Sequence, residues 1–104
     1  MNAAGLQPFE LDLLRSVFRR HPEISQVRIF GSRAKGTHQP CSDVDLALWG
    51  VADDFAAQAI ALELDELSLP YNYDVKAFAA IRLPSLREHI ERVGTRIWPT
   101  SATT

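Results

Sequence analysis

The sequence has one cysteine, Cys41, and only two lysines among its 104 residues. A single thiol permits no internal disulfide, which fits a reducing cytoplasm. The longest uninterrupted apolar run, Ala77 to Ile81, is five residues, far short of the about 20 that a membrane-spanning helix needs. Met1 to Gly5 lacks a basic stretch leading into an apolar core, so no secretory signal is read there. Glycine and proline total 11 and follow no period, which excludes a collagen-like or low-complexity chain. Positive charge is also scarce. Eleven Lys and Arg face thirteen Asp and Glu, a formal net charge of −2, and no basic run offers the electropositive track of an extended nucleic-acid binder.

What is present reads as one globular domain, residues 1–98, with a loose tail at 99–104. Apolar residues make up 46 % and charged residues 23 %, close to the average for folded domains. Residues Pro8 to Arg20 predict an amphipathic helix. Proline suits its first turn; Leu11, Leu14 and Phe18 form a stripe that Leu13 and Val17 widen, and His21-Pro22 ends it. Gln26 to Phe30 reads as a strand. Gly31 to Pro40 is turn-rich, with room for a helical turn near Ser32 to Lys35. Asp43 to Trp49 reads as a second strand, closed by Gly50. Asp53 and Asp54 offer an N-cap for a helix to about Ser68, with Ala56, Ile60, Leu64 and Leu67 facing inward. Tyr71 to Phe78 is a third strand. A last helix opens at Pro84 or Ser85 and runs to about Val93, and Arg96 to Trp98 is a short edge strand. This order predicts an α/β (α+β) fold, a small mixed sheet of three to four strands layered with helices.

Two stretches carry chemistry. Gly31-Ser32 closes a strand and leads into Arg33, Ala34, Lys35 and Gly36. Free backbone N–H groups and the Ser32 hydroxyl in such a turn hold phosphate oxygens, and Arg33 and Lys35 add positive charge. Taken alone, the same residues also describe an ordinary strand-to-helix turn with a serine cap. Asp43 and Asp45 stand at i and i+2 of a strand, about 6.6 Å apart on one face. Their repulsion is relieved by a divalent cation with oxygen ligands, Mg²⁺ or Mn²⁺, although acids on a wet strand face are common. Asp74 interrupts the third strand on the face opposite Val75 and Ala77. If that strand lies beside the second, three carboxylates can serve two cations, the arrangement used for in-line nucleotidyl transfer. The alternative is an edge-strand acid paired with an arginine.

Gly31-Ser32, ten residues, then Asp43-x-Asp45, with Asp74 on a later strand, resembles the signature of the polymerase-β-like nucleotidyltransferase superfamily. Phe30 to Gly36 together with Ser42 to Ala47 is similar to the minimal nucleotidyltransferases of bacteria and archaea. The resemblance implies ATP as donor and two Mg²⁺ ions, with Mn²⁺ as a substitute, held by Asp43, Asp45 and Asp74. It implies that Gly31, Ser32, Arg33 and Lys35 hold the departing phosphates and that Asp74 helps deprotonate the acceptor hydroxyl. It further implies an antitoxin that adenylylates a tyrosine of a helical HEPN-domain toxin in the cytoplasm. A protein that blocks the same partner by contact alone is the alternative. No second lobe to seat a small acceptor is expected, so a folded partner supplies the acceptor surface.

The remaining residues carry less. Cys41 has no second thiol to form a metal pair. His21, His38 and His89 lack metal-ligand spacing, and Trp49, Trp98, Tyr71 and Tyr73 read as packing residues.

Overall fold

In the computed structural model, which describes residues 6–31 and 43–99, the chain begins with helix α1 (Pro8–Arg19). Pro8 fixes the first helical turn, and the Glu10 carboxylate accepts the Gln7 backbone N–H at 2.8 Å, satisfying one donor that a helix start leaves open. Strands β1 (Gln26–Phe30) and β2 (Val44–Trp49) follow, then helix α2 (Asp54–Asp65), strand β3 (Tyr73–Ala77), a single 3₁₀ turn (Phe78–Ala80), helix α3 (Pro84–Val93) and strand β4 (Thr95–Trp98). Asp53 caps α2 by accepting the Ala56 N–H at 2.9 Å.

The four strands form one mixed sheet in the order β3-β2-β1-β4. β1 is antiparallel to both β2 and β4, whereas β2 and β3 run parallel, joined by α2 as a crossover. The α+β class and the edge position of β4 agree with the expectation from sequence. Two elements differ from it by more than one residue at an end. Helix α2 stops at Asp65 rather than near Ser68, because the chain must turn back before Pro70 to enter the parallel strand. β3 is shorter than Tyr71 to Phe78, since Phe78 already belongs to the 3₁₀ turn.

Alternation along the strands sorts the residues into two layers. Val27, Ile29, Val44, Leu46 and Leu48 face Leu14, Val17 and Phe18 of α1 and Ile60 and Leu64 of α2, forming the main core. The side of α2 that packs inward is Ala57, Ile60, Ala61 and Leu64, a rotation from the expected stripe that leaves Ala56 and Leu67 half-buried. Leu13, expected to widen the α1 stripe, is exposed. The opposite sheet face carries a smaller cluster, Phe30, Ala47, Phe78 and Ile90, under α3. There Arg28 lies over Trp49 (5.3 Å), Trp49 stacks on Phe78 (4.3 Å), and Arg87 covers Phe78 (4.3 Å). Arg87 also donates to the Phe78 and Ile81 carbonyls at 2.9 Å, tying α3 to the turn after β3.

One buried acid fastens α1 to the entry of β3. Glu10 is 7 % exposed, and both its oxygens accept the Tyr71 hydroxyl, at 3.0 and 2.9 Å. Such a carboxylate is tolerated only with its partners in place. Tyr71→Phe deletes the donor while Glu10 stays buried, so we expect it to lower unfolding stability by about 1–3 kcal/mol, measured as a shift of the urea midpoint at unchanged slope.

Candidate active site

The strand register brings two of the acids side by side. Asp45 stands opposite Asp74 across the parallel β2–β3 pair, and opposite Phe30 across the antiparallel β1–β2 pair. Neighbouring strands lie about 4.8 Å apart, so two carboxylates share one patch of the sheet. Both belong to the α3 side, the alternation partner of the buried Val44, Leu46 and Val75. Asp43, one residue before β2, is exposed. The Val44 N–H donates to the Asn72 carbonyl at 2.9 Å, which pins the start of β2 to the approach of β3 just where the acids stand.

The electrostatics follow from this crowding. Asp45 is half-buried, and its pKa is raised from the ordinary 3.8, first by burial and then by the charges of Asp74 and Asp43; Lys76 opposes the rise. Lys76 reaches the Asp74 carboxylate at 3.7 Å. Sequence alternation already puts Lys76 on the face of Asp74, but a lysine there reads as a solvated side chain until the register sets it against the acid pair.

Gly31 completes the described part of the site. It has φ +77° and ends β1 directly over Asp45. A Cβ at this position would collide with Asp45 Oδ2 and approach its Cγ to 3.3 Å. Glycine therefore serves both the backbone conformation and the space above the carboxylate. Ser32, Arg33 and Lys35, and with them His38 and Cys41, lie outside the described residues.

The donor set is one of oxygens alone. Among the described residues no three carboxylate, imidazole or thiol groups converge as a ready metal cage, and they enclose no pocket. Mg²⁺ asks for less than a cage. It is commonly held by one or two carboxylates, with water and substrate phosphate completing the octahedron. Asp45 beside Asp74, with repulsion that a cation would relieve, fits that requirement.

Glu10 and Tyr71 were not legible as a pair. A first-turn glutamate and a tyrosine before a strand are ordinary residues, and nothing in their 61-residue separation signals a contact.

The polymerase beta nucleotidyltransferase family model matches residues 13–103. No curated protein matches the chain. Among solved structures, a toxin-antitoxin with AMP-PNP is similar at TM-score 0.72 and 22 % identity, covering 88 % of this chain and 74 % of that one. The toxin-antitoxin MntA-HepT is similar at TM-score 0.67 and 19 % identity, covering 88 % and 72 %. At these identities the likeness is one of fold. Among the described residues, no helix is long and apolar enough to cross a membrane.

The raised pKa of Asp45 has a sign in stability. The folded state holds its proton to higher pH than the unfolded chain. Stability therefore falls as pH rises from 3.8 through the folded value and stays lowered above it. In metal-free buffer at pH 7, Asp45→Asn should melt at or above the wild-type temperature, and the gap should close below about pH 4. A variant that melts well below wild type at pH 7 would contradict this. Gly31→Ala should lose about 1–2 kcal/mol from its backbone conformation alone, and more from the collision with Asp45, read by the same melting curves.

Proposed function

The chain belongs to the polymerase beta nucleotidyltransferase family, and from that premise we propose that it moves AMP from ATP to a hydroxyl, a tyrosine of a HEPN-domain toxin, as a cytoplasmic antitoxin. The observation that carries the reading is Asp45 set beside Asp74 in register, beneath the bare Cα of Gly31. A half-buried acid crowded by two others is a standing cost to the fold. A protein acting by contact alone has no use for it. The similar toxin-antitoxin structure with AMP-PNP supports a triphosphate donor and a protein partner.

In this reading Asp43, Asp45 and Asp74 hold divalent cations, magnesium by the chemistry of an all-oxygen donor set. When bound, the cations supply charge neutralisation of the phosphates and polarisation of the attacked phosphorus. The chain's own residues do the rest. Gly31 keeps the floor above Asp45 clear for the triphosphate. Ser32, Arg33 and Lys35 grip the β- and γ-phosphates that leave as pyrophosphate. Asp74, the more exposed member of the pair (side chain 54 % accessible), accepts the proton of the incoming hydroxyl. Lys76 steadies the Asp74 carboxylate while its proton load changes. The new bond joins the acceptor oxygen to the α-phosphorus, and the bond to the β-phosphate oxygen breaks.

A contact-only antitoxin remains the second reading, and one experiment separates the two. The chain is co-expressed with the protein encoded beside it, and that protein is weighed by intact-mass spectrometry. The transfer reading expects added AMP units that vanish with Asp43→Ala and with Asp45→Asn, while the neighbour stays bound. An unmodified yet bound and silenced neighbour selects contact alone. ATP affinity should also depend on magnesium, falling at least about tenfold in chelator, since the acid cluster otherwise repels a triphosphate. Equal calorimetric affinity in both buffers removes the cation from the site.

A further inference from the structure

The outward side of α2 has no counterpart within the described chain. Phe55 is 81 % exposed and Leu62 66 % exposed. They stand at i and i+7 with the exposed Ala59 between them, an apolar strip about 10 Å long by helical rise. Isolated exposed apolar residues are unremarkable. Two large ones aligned on one helix face form a pattern.

Charge says what covers it. Between Lys35 and Lys76 the sequence has no lysine or arginine, while α2 and its caps hold Asp53, Asp54, Glu63, Asp65 and Glu66. Three of these are committed. Asp53 caps Ala56, Asp54 accepts the Ala77 N–H at 3.1 Å, and Glu63 binds Arg20 and His21 at 2.9 and 2.7 Å. Among the described residues, Asp65 and Glu66 have no such partner. They sit at the negative end of the helix dipole, the last turn holds no basic residue, and no cation meets them among the described residues. Acids at that end are unfavourable unless a cation arrives from outside. A second copy of this chain, paired α2 to α2, would set acid against acid at both ends of the strip.

We infer that the outer face of α2, Phe55-Ala59-Leu62 with Asp65 and Glu66 at its end, docks a partner protein presenting an apolar strip flanked by Lys or Arg. The inference rests on the toxin-partner reading above and names the surface that partner uses. The strip and the acid pair lie on opposite sides of the sheet, since α2 covers the main core and Asp45 faces the α3 side. Docking and chemistry are therefore separable by mutation.

The test uses the purified protein encoded beside this chain and calorimetric titration with four forms: wild type, Phe55→Ser/Leu62→Ser, Asp65→Lys/Glu66→Lys, and Asp45→Asn. The serine pair should bind at least about tenfold more weakly. The lysine pair should also weaken binding and flatten its salt dependence. Both keep wild-type circular dichroism and magnesium-dependent ATP binding, because all four positions are solvent-facing. Asp45→Asn should bind as wild type. Serine-pair affinity within about twofold of wild type, or no binding by wild type, overturns the docking face. Wild-type self-association in sedimentation that the serine pair abolishes overturns it too, by giving the strip to a second copy. A complex lost in the serine pair but never carrying AMP in its wild-type form upholds the docking face and ends the transfer reading instead.

Discussion

Asp45 and Asp74 are held together against their mutual repulsion because the other side of the same strands leaves no alternative register. Val44, Leu46 and Leu48 are fully buried against α1 and α2, and Val75 and Ala77 follow them on β3. Since side chains alternate with a period of two, any slip of one residue would turn the acids into the core and the core into solvent. The main core thus fixes where the carboxylates point and which neighbours they meet. The free energy of that packing, on the order of 2 kcal/mol for each buried Leu or Val, supports a local arrangement that electrostatics alone would disperse.

The connections follow from the same constraint. Parallel pairing of β2 with β3 needs a crossover, and α2 supplies it while closing the core. Antiparallel pairing of β1 with β2 puts the end of β1 beside the start of β2, so Gly31 arrives over Asp45. Three chain segments therefore meet at one end of the sheet although their residues are spread from 31 to 74. At the other end of β2 stands the Arg28-Trp49-Phe78-Arg87 stack, and Arg28 and Arg87 also tie α3 to β1 and to the turn after β3. At the acid end, Asp43 and Asp74 are the exposed members of the cluster and Asp45 the half-buried one.

Much of this was legible in the residues. Strand alternation placed Asp74 and Lys76 opposite Val75 and Ala77, and proline, glycine and aspartate marked the helix limits to within a few positions. The family resemblance rested on Gly31-Ser32 within Phe30 to Gly36, on Asp43-x-Asp45 within Ser42 to Ala47, and on Asp74, and the family match agrees with it. What escaped depends on contacts between distant segments. The rotation of α2 is set by how Ala57 and Ala61 fit against the sheet, and small residues leave a weak periodic signal. The Glu10–Tyr71 bond joins residues whose types carry no pairing information. The pKa of Asp45 needs the register before its neighbours can be named.

The chain's two indoles sit on opposite sides of the sheet. Trp49 is sandwiched between Arg28 and Phe78 in the cluster under α3. Trp98 packs against the main core, with its ring 6.2 Å from that of Phe18 and the Arg19 guanidinium 5.7 Å away. Each emits from its own dielectric and its own cation, so the native fluorescence spectrum is a sum of two separable reporters. Replacing either one by phenylalanine isolates the other, and loosening of the α3 layer then becomes visible independently of melting in the α1–α2 layer.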